Sequence, residues 1–170
     1  MRITKARVTL RKLPILNAAD LLPASALVVG PVDSQFLESL PGYNARRASL
    51  AIIEAFYKDM APFDFGPVDF SVMSIICHNP GITSRQLCAS LNLLPPNLVG
   101  LINRLEKRGL ISRQPHPSDG RALGLYCSPQ GYQITEKAET TAATSGAKVT
   151  QKLTPSEQKT LIRLLQKIFL

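Results

Sequence analysis

Two histidines, His78 and His116, are all that the 170-residue chain holds, and neither stands beside a plausible nucleophile. There is no glycine-rich phosphate loop and no conspicuous pair of carboxylates, so an enzyme is not expected. Cysteine is scarce as well. Cys77, Cys88 and Cys127 are odd in number and irregular in spacing. They are not expected to form a disulfide framework, and they read as small core residues suited to a reducing cytosol. Cys77-His78 does not make a metal site, because adjacent residues rarely ligate one tetrahedral ion and no second Cys/His pair is present. No metal or other cofactor is expected. A long apolar run is also missing. The basic start, followed by LPILNAADLLPASALVVGP, resembles a signal peptide, but Pro14 and Asp20 interrupt its core, and Pro23 and Pro31 break the rest. The segment is too short and broken to span a bilayer, so a cytoplasmic protein without a membrane partner is expected.

Acidic residues are few, at 12 against 20 bases, and the net charge of +8 is unevenly placed. Residues 1–12 carry five bases and no acid, and residues 83–121 carry six bases against two acids. The remainder holds nine bases and ten acids. A charge excess confined to one arm and one internal segment is the footprint of a polyanion-binding surface.

Proline punctuates residues 1–40, which read as an irregular arm with helical turns near Asp20 and Ser34–Ser39. From Tyr43 to Met60, Ala48, Ala51, Ile52, Ala55 and Phe56 recur at helical spacing. Pro62 ends that helix and Gly66-Pro67 starts another, whose stripe is Val68, Val72, Ile75 and Ile76. Thr83-Ser84-Arg85-Gln86 has the form of a capping box and predicts a helix from about Ser84. Leu87, Cys88 and Leu91 form its buried face. Pro95 and Pro96 open the next helix, with Leu98, Leu101, Ile102 and Leu105 as its core face and Gly109 at its end. Two strands, Ile111–Gln114 and Arg121–Cys127, are expected around a turn from Pro115 to Gly120. Ser128-Pro129 starts a helix to about Ala147, and Thr154 with Glu157 caps a last one carrying Leu161, Leu164, Leu165, Ile168 and Phe169.

Helix, tight connection, basic helix and two-stranded ribbon, in that order, describe a winged helix-turn-helix. The fold class expected is mainly α (α+β), a DNA-binding lobe joined to a helical lobe. In that arrangement the second helix enters a DNA major groove and the ribbon tip reaches backbone or minor groove. The face opposite the core presents Pro96, Asn97, Gly100, Asn103, Arg104 and Lys107. Asn97 suits an adenine edge and Arg104 a phosphate or guanine, while Ser84, Arg85 and Arg113 are phosphate-contact candidates.

Five segments, in order and spacing, resemble the multiple-antibiotic-resistance regulator (MarR) family of bacterial winged-helix repressors over residues 40–170. They are Asn79-Pro80-Gly81-Ile82-Thr83, the Leu87-to-Leu93 pattern, Asn103-Arg104-Leu105-Glu106-Lys107-Arg108-Gly109-Leu110, Pro117-Ser118-Asp119-Gly120-Arg121-Ala122, and Leu125-Tyr126-Cys127-Ser128-Pro129-Gln130-Gly131. The resemblance implies a homodimer on a double-stranded, pseudo-palindromic DNA operator, with repression relieved by a small molecule, often an aromatic acid. It divides the chain into an arm (1–40), an N-terminal dimerisation helix (41–66), the winged helix-turn-helix (67–128) and C-terminal dimerisation helices (129–170). Independently, the apolar terminal helix has little chain left to cover it, and a second copy is the simplest cover.

The resemblance also assigns Arg121 to the minor groove, and Asp119 reads as its orienting partner or as a turn cap. It places a ligand pocket between the dimer helices and the DNA-binding lobe, to which Tyr43, Arg46, Arg47, Phe63, Phe65, Met73 and His78 are candidates. An arginine there pairs bidentately with a carboxylate. The chain departs from the family at Leu94, where a polar N-cap is usual, and at Val99 and Gly100, where Ser, Thr or Arg are common. Direct base readout is expected to be sparse and to fall on Asn97, Arg104 and the wing. The basic arm is expected to anchor on phosphate or to cross to the partner subunit. The alternatives are a winged-helix protein-interaction module and a redox-sensing regulator, although the peroxide-sensing branch carries its cysteine near the first helix and this chain has none there.

Overall fold

The computed structural model describes residues 32–116 and 119–170, residues 119–121 by backbone alone. The basic arm and the turn expected near Asp20 lie outside the described residues. The chain divides after Leu40. Before that point the described residues hold one helical turn, α1 (Gln35–Glu38). The Asp33 carboxylate accepts the Gln35 N–H at 3.0 Å and Ser39 Oγ donates to the Phe36 carbonyl at 2.7 Å, so local side chains close the turn.

After Leu40, α2 (Pro41–Met60) runs for 20 residues into a 3₁₀ turn at Ala61–Phe63. Pro62 has no N–H to continue the helix, and Asp64 (φ 52°) takes the left-handed conformation that redirects the chain. The α3 helix (Pro67–His78) starts where Asp69 Oδ2 accepts the Gly66 N–H at 3.1 Å. A two-residue strand β1 (Ile82–Thr83) leads into α4 (Ser84–Leu91), with the expected box formed: Thr83 Oγ1 accepts the Gln86 N–H at 3.3 Å and Gln86 Oε1 accepts the Thr83 N–H at 2.9 Å. Then come α5 (Pro95–Lys107), β2 (Ile111–His116), β3 (Asp119–Cys127), α6 (Pro129–Val149) and α7 (Pro155–Phe169). In the last of these, the Glu157 carboxylate accepts both the N–H (2.7 Å) and the O–H (2.8 Å) of Thr154. Those bonds, the backbone one foremost, hold its carboxyl below the ordinary range.

The ribbon expected to have two strands is a three-stranded antiparallel sheet in the order β1-β3-β2. Ile82 pairs with Leu125 and Thr83 with Gly124, so the stretch before α4 is strand before it is cap. The ladder also runs past the expected turn, pairing Pro115 with Leu123 and, after an irregularity, His116 with Asp119. Pro115 is tolerated because β2 is an edge strand and the missing donor breaks no interior ladder.

One apolar core joins Met60, Phe65, Val72, Met73, Ile76, Leu87, Leu98, Leu101, Ile102, Leu105, Leu110, Ile111, Leu125 and Ala138. All four residues of the face expected on α5 are in it. The face expected on α2 is not: Ala48, Ala51 and Ile52 are exposed, and Phe56 packs on the core only in part. The cysteine expectation is corrected too. Cys77, at the end of α3, and Cys127, at the end of β3, form a disulfide with Cα atoms 5.1 Å apart, while Cys88 is free. Sequence spacing of 50 residues gave no sign of it, because the two meet only when β3 returns beside α3.

Among the described glycines, Gly131 leaves the least room for a side chain. A Cβ there would lie 2.1 Å from the Leu110 carbonyl oxygen, where the first turn of α6 presses on the α5–β2 turn. Ser128 holds the same junction, its Oγ accepting the Gly131 N–H at 2.9 Å and donating to the Gly109 carbonyl at 2.7 Å. Gly131→Ala is expected to cost about 1–3 kcal/mol through backbone displacement. Gly146→Ala, in open space on the same helix, is expected to be neutral or stabilising by up to about 1 kcal/mol. Thermal melts of the two variants compare them directly, and equal midpoints would refute the close-approach account.

Candidate nucleic-acid interface

The α5 helix is set by what it buries. Leu98, Leu101, Ile102 and Leu105 seat α5 on the core, and the opposite surface shows Pro96, Val99, Gly100, Asn103 and Lys107 at successive turns, with Asn97 and Arg104 to one side. The helix opens after Leu94, which supplies no side-chain cap. Pro95 and Pro96 lack N–H groups, and the next two, of Asn97 and Leu98, bond to the Leu94 carbonyl at 3.0 and 3.3 Å. The start of α5 therefore offers few donors to an anion.

Several predicted contacts are already engaged within the chain. Arg104 donates to Asp69 Oδ1 on α3 at 2.8 Å, though its side chain stays 63% exposed. Arg113 on β2 reaches α5 twice, donating to Asn103 Oδ1 at 2.6 Å and pairing with Glu106 at 3.1 Å. Exposed ion pairs of this kind contribute about 0–1 kcal/mol, so a phosphate competes for either guanidinium. Among the described residues Lys107, Asn97, Arg85 and Ser84 are exposed, and none of the four has a side-chain partner. The backbone places Asp119 and Arg121 at the start of β3, beside the end of β2; their side chains lie outside the described residues.

A residue that sequence reasoning passed over controls how the helix is presented. Arg108, at the C-cap of α5, donates to the carbonyls of Phe63 (2.7 Å) and Asp64 (2.9 Å) and lies 5.1 Å over the Phe65 ring. It fixes the end of the recognition helix to the α2–α3 joint. Its adjacency to Gly109 at the helix end was the only local signal.

The ligand candidates are spread out. Phe65 and Met73 are closed into the core, Phe63 packs against it, Tyr43 is half-buried, and Arg46 and Arg47 are exposed on α2. His78 Nε2 lies 2.9 Å from Glu139 Oε1, which also accepts from Ser74 Oγ at 2.7 Å, bridging α3 to α6 beside a shallow cleft of about 220 Å³ lined by Tyr132 and Glu136. Among the described residues no group of three or more His, Cys, Asp or Glu side chains is placed to hold a metal ion, and no single helix is long and apolar enough to cross a membrane.

The arrangement has known counterparts. A family model described as MarR family matches residues 63–122, from the α2–α3 joint through the start of β3. The uncharacterized HTH-type transcriptional regulator YhbI of Bacillus subtilis (strain 168) is 30% identical over 105 residues, 62% of this chain and 68% of YhbI. The transcriptional repressor CouR bound to a 23-mer DNA duplex superposes with a TM-score of 0.77 at 31% identity, covering 82% of this chain and 99% of CouR. CouR from Rhodococcus jostii RHA1 bound to p-coumaroyl-CoA superposes at 0.73 and 25% identity, over 79% and 95%. By likeness in sequence and in fold, the chain belongs to the MarR family of winged helix-turn-helix transcriptional regulators, and is a regulator rather than an enzyme.

Proposed function

We infer that this chain is a cytoplasmic, homodimeric repressor that binds a pseudo-palindromic double-stranded DNA operator, its binding modulated by a small aromatic ligand. The observation that carries the reading is the exposed outer face of α5, flanked by the unpartnered Lys107 and Arg85, on a lobe that matches a DNA-bound repressor. In this reading α5 lies in the major groove, with Asn97 at an adenine edge. Ser84, Arg85, Lys107 and Arg113 face phosphate, joined by Arg104 when it leaves Asp69. Arg121, oriented by Asp119, enters the minor groove.

The dimer is supported by α7. It is amphipathic, 15 residues long, and none of its residues is buried; Ile168 and Phe169 are 75% and 72% exposed. An apolar helix face in water calls for a partner, and a second copy supplies the same face by two-fold symmetry. For the effector, CouR's p-coumaroyl-CoA supports an aromatic acyl group. A site using Tyr43 with Arg46 or Arg47 needs a further wall, because both arginines are exposed, and the partner subunit would provide it.

One observation favours a second reading, redox modulation. Cys77–Cys127 joins α3, which carries Asp69 and so Arg104, to β3, which carries the wing. Oxidised protein is expected to titrate one thiol per denatured chain, against three after reduction, and to differ from reduced protein in operator affinity. Equal affinities end this reading and leave the first untouched.

Sedimentation is expected to show a dimer at micromolar concentration, and footprinting two half-sites about 10 base pairs apart, with binding that falls steeply as salt rises. A monomer, or protection of one isolated half-site, overturns the proposal; salt-insensitive binding points to a protein partner instead. Arg121→Ala is expected to weaken operator binding by about 1–3 kcal/mol while dimer and melting temperature hold. Unchanged affinity in a folded dimer removes Arg121 from the interface.

A further inference from the structure

We propose that the centre of each half-site is thymine, read through its C5-methyl group by Val99 and Pro96, with Gly100 letting the helix sit close to the groove floor. The inference rests on the reading above, that α5 lies in a DNA major groove. It follows from what the outer stripe of α5 holds and what its neighbours have already engaged.

The first two turns of that stripe are Pro96, Val99 and Gly100, and none offers a side-chain donor or acceptor. Pro96 lacks even an N–H, and the N–H groups of the following residues are engaged with Leu94. Val99 is 54% exposed and Leu94, just before the helix, is 69% exposed. Val99 is thus half-exposed and stands outside the apolar core, so the core does not account for a β-branched residue at this point of the outer face. Further along, Asn103 Oδ1 already accepts from Arg113, and Arg104 sits with Asp69.

Each base pair presents a different major-groove edge. Guanine shows two acceptors and requires a donor. Cytosine shows an amino group and requires an acceptor. Adenine requires both. Set against Pro96, Val99 and Gly100, any of these edges would lose water and gain nothing. Thymine also shows an acceptor, O4, but it alone carries an apolar group beside it, its C5-methyl, which Val99 and the Pro96 ring cover without a hydrogen bond. Gly100 completes the argument. A Cβ built on it meets nothing within 4 Å, so its lack of a side chain answers no need inside the protein. Glycine also weakens a helix interior. What its absence of a side chain provides is a flat patch beside Val99, at the point where the helix comes nearest the bases. Asn97, to the side of the stripe, keeps its amide for an adenine edge next to the thymines.

The test uses the full chain and the tightest duplex recovered by selection from a random pool. Each thymine is replaced in turn by deoxyuridine, which removes only the methyl and keeps the pairing and O4. At the central positions of each half-site the loss is expected to be about fourfold per methyl, the weight of one buried methylene-sized group. Val99→Ala is expected to shrink that uracil penalty rather than add to it, because the two changes remove the same contact. Gly100→Ala is expected to lower affinity about tenfold, as one lost close contact in a groove does, with the melting temperature unchanged or higher, which excludes misfolding as the cause. Selected half-sites with guanine or cytosine at the centre, or uracil duplexes bound as tightly as thymine ones, overturn the inference while leaving DNA binding intact. Failure to bind any duplex at low salt overturns the DNA reading itself, and this inference with it.

Discussion

The guanidinium of Arg108 is the contact on which the geometry of the DNA-binding lobe depends. Two charge-assisted hydrogen bonds to the Phe63 and Asp64 carbonyls, and the Phe65 ring beneath, tie the last turn of α5 to the joint between α2 and α3. The joint itself is narrowly determined, since Pro62 stops α2 and Asp64 takes a positive φ. The α5 helix is thereby fixed at its C-terminal end to the helix that lies along α6, and the same last turn also meets α3 through the exposed Arg104–Asp69 pair. A movement of α2 would pass to α5 through hydrogen bonds and a ring stack, rather than through the apolar core alone. If the proposed effector is held against α2, this contact offers it a path to α5.

Much of this was legible in the sequence wherever the signal is local. The Thr83–Gln86 and Thr154–Glu157 boxes, the proline at the start of α5 and its four-residue core stripe each depend on residues within one or two turns, and each stands in the structure as expected. The misses share the opposite property. Strand β1 has two residues and exists only because β3 lies beside it. The Cys77–Cys127 bond closes a separation of 50 residues, and Arg104 finds Asp69 across 35. On α2 the period correctly marked a helix, but periodicity says which residues share a face and not what covers them; Ile52 and its neighbours stay open.

Charge illustrates the same limit. The six bases of residues 83–121 look equivalent in a composition, yet the fold separates them. Arg108 is structural, Arg104 and Arg113 brace the recognition helix against α3 and within the lobe, and Arg85 and Lys107 remain uncommitted among the described residues. Net charge brings such a lobe to DNA, whereas the polar groups left unengaged on α5 decide which edges it can read. In this chain few are left, and under the proposed readout shape and apolar contact would carry more of the discrimination.

The absence of any buried residue on α7 links folding to abundance. A helix of 15 residues is marginal in water when nothing packs on it, even with a well-formed capping box. In the proposed dimer, its helical content would follow mass action, rising with the concentration of the chain. Where copies are scarce, the C-terminal segment would fray and open to proteolysis; where they are plentiful, the dimer would protect it. For such a dimer, turnover would be steepest at low expression, and the steady-state level would respond more than proportionally to the rate of synthesis.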